Sequence, residues 1–346
     1  MAQEDGKSID ELYRLKKDIM RLNREIERRD ITINRLELNI DKISKLSDVV
    51  LIERELDQTR KFLEVFKKFV PTDFLSVLVD DPLKATLGHQ AKLNLFVLFS
   101  DIRGFTRISE SLSAEEVMKF LNDYFGKAES AIVNNHGFVD KYIGDAIMAL
   151  FSTADDAIKA AIDLQKVARE YDKSNSLSVP FKIGVGMHTG ELMLGIVGAE
   201  SHMQSTVIGD PVNIASRLEG LSSIFNAPII VSEDVIKESI FLDEYNIRCL
   251  GNIKLKGKNI ANKVFEVLDG EREEICKIKT ENKNMFEEAL ALFVNKHFLS
   301  AKKIFHTISE RCPDDSAALF YLNKCQHYII NGSPEGWDSA EQLVHK

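Results

Sequence analysis

Residues 98–106 read LFSDIRGFT and set an acid, Asp101, where an apolar run ends and a glycine turn begins. A short apolar run bounded by a turn is the pattern of a buried strand, here the end of LNLFVLFS over residues 93–100. Alone, such a carboxylate is as readily a turn residue as half of a site. A second acid answers it. In GFVDKYIGDAIMALF, residues 137–151, two strand-like runs hinge at Gly144 and Asp145 follows the hinge. If the strands are neighbours the carboxylates face each other, and like charges about 4 Å apart repel by roughly 1–4 kcal/mol near a protein surface. A hard divalent cation reverses that penalty, and paired aspartates with few His or Cys nearby suit Mg²⁺ or Mn²⁺.

Working outward, AEEVMKFLNDYFGKAESAIVNNH from Ala114 predicts a helix with Val117, Leu121, Tyr124 and Ala128 on one face. A helix across 154–171, a strand pair around FKIGVGMHTGELMLGIVG and a helix starting near Asp210 follow. The order strand, helix, two strands, helix, strand over 93–270 is α+β and ferredoxin-like, βαββαβ with elements appended.

The flanks differ in kind. Leu12, Ile19, Ile26, Ile33 and Ile40, with Leu15, Leu22, Leu36 and Ile43, repeat every seven residues, interrupted by Arg29. So narrow a seam, β-branched at one position and Leu-rich at the other, predicts a parallel two-stranded coiled coil over 8–50 and hence a homodimer. Residues 51–92, broken by Pro71 and Pro82, predict a helical linker that couples the coil to the body. The stretch 271–346 predicts helices only, one tetratricopeptide-like (TPR-like) unit and part of a second.

The chain of 346 residues is 44% hydrophobic and 29% charged, ample for packed cores. No apolar run reaches the length of a membrane span and the N-terminus lacks a signal-peptide core, so a cytoplasmic protein is expected. Net charge −9 weighs against nucleic-acid binding, and four cysteines without CxxC spacing give neither a zinc nor a disulfide framework. His188, on a core strand, and His136, at a helix end, are expected to be structural.

LFSDIRGFTRISE, VDKYIGDAIMALF and TVIGDPVNIASRLEGL resemble three signatures of the class III nucleotidyl cyclases, in the family's order across 93–268. The resemblance implies that Asp101 and Asp145, with the backbone of Ile102, bind two Mg²⁺ or Mn²⁺ ions per active site. It implies that the backbone at Ile102, Gly104, Phe105 and Thr106 cradles the triphosphate, as a glycine turn opening a helix can. Asn213 and Arg217 correspond to the pair that orients the ribose and braces the α-phosphate, and Lys256, in IKLKGKN, to the lysine on the terminal phosphates. Lys141 and Thr206 fall on the base-selecting positions. Lysine can donate to adenine N1 and threonine can accept from the exocyclic amine, so ATP is the implied substrate. Many relatives carry Asp at the Thr206 position, which loosens the expected selectivity against GTP. The Lys/Thr variant resembles a bacterial subgroup in which bicarbonate stimulates, making bicarbonate a candidate effector.

In this family each site is shared between two subunits. The implied function is a homodimeric adenylyl cyclase making 3′,5′-cyclic AMP and pyrophosphate, regulated through the coil. The alternatives are a guanylyl or relaxed-specificity cyclase, and a catalytically silent nucleotide-binding scaffold. An upstream sensor domain, or a protein partner of the C-terminal helices, is a candidate input.

Overall fold

The computed structural model describes residues 17–36, 56–64, 86–174, 179–255 and 261–342. Two helices, over 17–36 and 56–64, lie in an N-terminal unit. On the first, Ile19, Leu22, Ile26, Ile33 and Leu36 of the heptad seam are exposed, while Asp18–Arg21 and Glu25–Arg29 pair along its surface. Leu12, Leu15, Ile40 and Ile43 lie outside the described residues, as does most of the expected linker.

The body is one mixed sheet. Its strands are β1 (Gln90–Ile102), β2 (Phe138–Ile143), β3 (Ala146–Phe151), β4 (Ile183–Ala199), β5 (His202–Ile208), β6 (Ile229–Ser232), β7 (Ile247–Lys254), β8 (Ala261–Val267) and β9 (Glu341–Gln342). They run in the order β2-β3-β1-β4-β6-β8-β7-β9, with β5 paired to β4. The helices are α1 (Phe105–Glu110), α2 (Ala114–Asn134), α3 (Ala154–Ser174), α4 (Asp210–Phe225), α5 (Glu233–Glu238), α6 (Glu273–Glu281), α7 (Lys283–Val294), α8 (Phe298–Arg311) and α9 (Ser316–Asn331). Strands β2-β3-β1-β4 with α2 and α3 form the expected βαββαβ core.

Alternation assigns the two faces of β1. Phe96 and Leu98 pack with Tyr124 and Ala128 of α2 and Leu164 of α3, whereas Leu95, Val97 and Phe99 pack with Met148, Leu192 and Ala215 of α4. A capping box starts α2: Ser113 Oγ accepts from Glu116 N at 3.3 Å and Glu116 Oε2 accepts from Ser113 N at 2.8 Å. Helix α4 lies close on β4 because Gly186 has no side chain. A Cβ there would sit 1.9 Å from the backbone N of Glu219.

Three expectations are corrected. FKIGVGMHTGELMLGIVG is not a strand pair but one long strand, since β1 pairs with β4 without interruption from Gln90 to Ile102. The continuous ladder with β1 keeps the whole stretch one strand. Strand β1 begins at Gln90, inside the stretch read as linker. The tail is not wholly helical, because β9 adds a short parallel edge to β7.

The tail packs on the sheet and α4. Phe286, Phe293, Phe305 and Tyr321 share a core with Leu250 and Ile253 of β7 and with Leu218 and Phe225 of α4. Beneath it lies a buried charge cluster in which the Arg248 guanidinium, 0% exposed, pairs with Glu266 and Asp315, each at 2.5 Å. Lys279 Nζ lies 2.6 Å from Glu266 and 2.5 Å from Glu271. These charges come from β7, β8, α6 and the start of α9, so neither the body nor the tail buries them without the other. Arg248→Ala leaves Glu266 and Asp315 short of a cation and is expected to cost about 3–5 kcal/mol. Urea denaturation of the full chain checks this, and a loss under about 1 kcal/mol would contradict the cluster's role.

Candidate active site

Asp101 stands near the C-terminal end of β1 and Asp145 in the β2–β3 turn, and the β1–β3 ladder, with Ser100 opposite Ile147, brings both to one end of the sheet. Gly144 makes the turn at φ 64°, a left-handed conformation that glycine adopts without strain. The carboxyls meet. Burial, the charge of Asp101 and a hydrogen bond between the two side chains push the Asp145 carboxyl up to about 6. Asp101 Oδ1 also accepts from Ile102 N at 3.0 Å.

The donor set fits a divalent cation. Two carboxylates crowded enough to retain a proton are the arrangement a cation relieves. Mg²⁺ is commonly bound through one or two carboxylates with water and substrate phosphates completing its shell, and two oxygen-donor side chains are what the pair offers.

After Asp101 the chain turns through Gly104 into α1. The N–H groups of Arg107 and Ile108 bond back to Gly104 O, leaving those of Phe105 and Thr106 without a backbone partner among the described residues. Ile102, Gly104, Phe105 and Thr106 thus lie in the turn that follows Asp101 and opens α1.

Lys141 and Thr206 also meet, with Lys141 Nζ 3.5 Å from Thr206 Oγ1. Asn213 and Arg217 sit four residues apart on one face of α4. Asn213 is exposed, and Arg217 Nη1 is buried with no hydrogen-bond partner among the described residues. No ion pair there joins Arg217 to Asp101 or Asp145. Lys256 lies outside the described residues. His188 is structural: its Nδ1 bonds Ser232 Oγ at 2.7 Å with Asp234 3.9 Å from the same nitrogen, so Ser and Asp do not flank the ring as a relay requires.

The sequence reading missed a second layer. Arg103, just past Asp101, pairs with Glu219 of α4 at 3.3 Å. Burial outweighs the attraction: it pushes the Glu219 carboxyl up to about 7, helped by Asp101 and Asp145, and lowers the pKa of the Arg103 guanidinium. Both residues lie within the quoted motifs, but nothing local in either says that they meet.

A sequence model described as the adenylate and guanylate cyclase catalytic domain matches residues 87–268. The adenylate cyclase of Anabaena cylindrica is 36% identical over 226 residues, covering 62% of this chain and 45% of that protein. The terminal-differentiation-specific adenylate cyclase of Dictyostelium discoideum is 32% identical over 278 residues, 78% of this chain and 13% of that one. The chain therefore spans less than half the length of these relatives. The solved structure of a bacterial light-regulated adenylyl cyclase superposes with a TM-score of 0.58 at 24% identity, covering 69% of this chain and 71% of that one, a likeness of fold.

The Asp145 shift fixes the sign of a pH effect. With its pKa raised in the folded state, the carboxyl favours folding while protonated, and that contribution is lost as pH rises through about 6. Metal-free Asp145→Asn should therefore melt higher than the parent at pH 8, with the gap shrinking toward pH 5. Mn²⁺ should raise the parent's melting temperature at pH 8 but not the variant's. Differential scanning fluorimetry checks both, and a gap that widens on acidification would contradict the assignment.

Proposed function

The chain belongs to the family of adenylate and guanylate cyclase catalytic domains, and from that premise we propose that it converts ATP to 3′,5′-cyclic AMP and pyrophosphate as a homodimer. The observation that carries this reading is the approach of Asp101 and Asp145, which turns two strand ends into a cation-demanding pair. Asp101, Asp145 and the backbone of Ile102 would hold Mg²⁺ or Mn²⁺, two ions per site. When bound, these supply Lewis acidity at the phosphate oxygens and favour ionisation of the ribose 3′-hydroxyl.

The remaining work falls to side chains and backbone of the chain. The Phe105 and Thr106 amides, opening α1 beside the aspartates, receive the triphosphate, and Lys256 neutralises its outer end. Lys141 donates to adenine N1 and the Thr206 hydroxyl accepts from the exocyclic amine. The 3.5 Å between them supports reading one base edge with both. Asn213 orients the ribose. Arg217 braces the α-phosphate as its charge changes, for which a planar guanidinium is suited, and a buried nitrogen without a protein partner is free for that oxygen. One well-placed donor of this kind is worth about 10²–10³ in rate.

The dimer reading rests on the heptad seam of the N-terminal helix, whose apolar residues are exposed, and on apolar side chains left exposed around β2 and β5, among them Tyr142, Ile143, Met203 and Ile208. Input through the coil, or from bicarbonate, would then act by changing how two chains meet. Among the described residues no helix is long and apolar enough to cross a membrane, and we place the enzyme in the cytoplasm.

With Mn²⁺, cyclic AMP from ATP should exceed cyclic GMP from GTP at equal nucleotide. Asp101→Asn and Arg217→Ala should each lower activity by about 10²-fold or more. Mixed and allowed to exchange subunits, the two variants should recover activity, because one of the two sites in a mixed dimer carries neither lesion. Confirmed mixed dimers without recovery would place the whole site in one chain.

A further inference from the structure

One buried acid beside the proposed base pocket has no part in this account. Asp140 precedes Lys141 on β2, its side chain is 0% exposed, and neither carboxylate oxygen makes a hydrogen bond among the described residues. Lys141 Nζ lies 3.3 Å from Asp140 Oδ2. Neighbours on a regular strand point to opposite faces, so a contact between residues 140 and 141 needs a cause.

The cause is a bulge. Val139 pairs with Ala149 and Lys141 with Met148, leaving Asp140 as the extra residue on β2. Without it, alternation would set Lys141 opposite Ile147, whose side chain packs in the core under α2 and α3. With it, Lys141 stands opposite Met148, on the face that packs with Ala215 of α4. Tyr142, the next residue, keeps the α2 side and stacks on Phe125 with ring centroids 4.4 Å apart. The bulge thus turns one lysine toward the α4 side and seats an acid behind it.

We propose that Asp140 is a positioning residue for base choice, its carboxylate holding the Lys141 ammonium aimed from the α4 face beside Thr206. An ammonium has three donors. One reaches Thr206 Oγ1, the ion pair with Asp140 at 3.3 Å fixes the head group's direction, and a donor is left for the base. A group fixed as a donor suits adenine N1, an acceptor, and opposes guanine N1, which carries a hydrogen. Released from Asp140, the long lysine stem samples other rotamers and discrimination falls. The inference rests on the adenylyl reading of this pocket.

The test is equilibrium binding of 3′-deoxy-ATP and 3′-deoxy-GTP, which cannot cyclise, to the full chain with Mn²⁺ by titration calorimetry, with the fold checked by circular dichroism. Asp140→Asn should lower the adenine-to-guanine affinity ratio by about tenfold, and Asp140→Glu, which keeps the charge, should recover part of it. In a Lys141→Met background, where Asp140→Asn removes the buried carboxylate that the first substitution leaves without its cation, Asp140→Asn should leave the ratio unchanged. A folded Asp140→Asn with an unaltered ratio, equal weakening toward both nucleotides, or a further shift on top of Lys141→Met would each overturn the proposal. Cyclic AMP production by the parent chain is measured separately: its failure would sink the cyclase reading, while the binding ratio still decides the role of Asp140.

Discussion

Everything at this site depends on the register of β1. That strand is paired along all 13 of its residues with β4 and along Phe96–Ser100 with β3. A slip of one position would exchange its faces, moving Leu95, Val97 and Phe99 under α2 and α3 and Phe96 and Leu98 toward α4. The cores on the two sides are filled to close packing, so the slip is closed. Asp101 is therefore delivered to Asp145 by hydrophobic packing several residues away, and the repulsion between the carboxyls is sustained by a ladder that cannot yield. A cation or a proton relieves that repulsion, and burial together with the charge of Asp101 raises the pKa of the Asp145 carboxyl.

What could be read in the sequence was what is local. The apolar run ending at Asp101, the glycine hinge before Asp145 and the i, i+4 spacing of Asn213 and Arg217 each lie within a few residues, and each is where the reading put it. The unread parts are long-range or break a period. FKIGVGMHTGELMLGIVG reads as two strands until β1 is laid along it. The Arg103–Glu219 pair joins two motifs that are each complete alone. Lys141 could be identified as a residue type, but the face it occupies is set by one extra residue at Asp140, and a bulge leaves alternation intact on either side while changing its phase between them.

The C-terminal helices show how a tail becomes structure. A fully buried Arg–Glu–Asp–Lys cluster adds little stability over apolar packing, yet it tolerates no missing member. It ties β7 and β8 to α6 and α9, so the four elements come together or not at all. Above it Tyr321 donates to Leu250 O, and Phe320 meets Phe225, near the C-terminal end of α4, edge-on with ring centroids 5.2 Å apart. The expected repeat-like tail is thus continuous with the core of the helix that carries Asn213 and Arg217.

That continuity constrains how such a site can be controlled. Helix α4 is held on one side by the contact with β4 at Gly186 and the Arg103–Glu219 pair, and at its far end by Phe320. Packed interiors respond to displacement as stiff solids, so a helix gripped at both places gains little room to slide or turn without breaking one of them. Electrostatic stabilisation depends on donors fixed before the charge develops, and in the role proposed for Asn213 and Arg217 this grip would fix them in advance. The same grip removes local adjustment of α4 as a means of switching. On the proposed reading, control would enter where packing is open, at the exposed apolar side chains of the N-terminal helix and around β2 and β5, and not through α4.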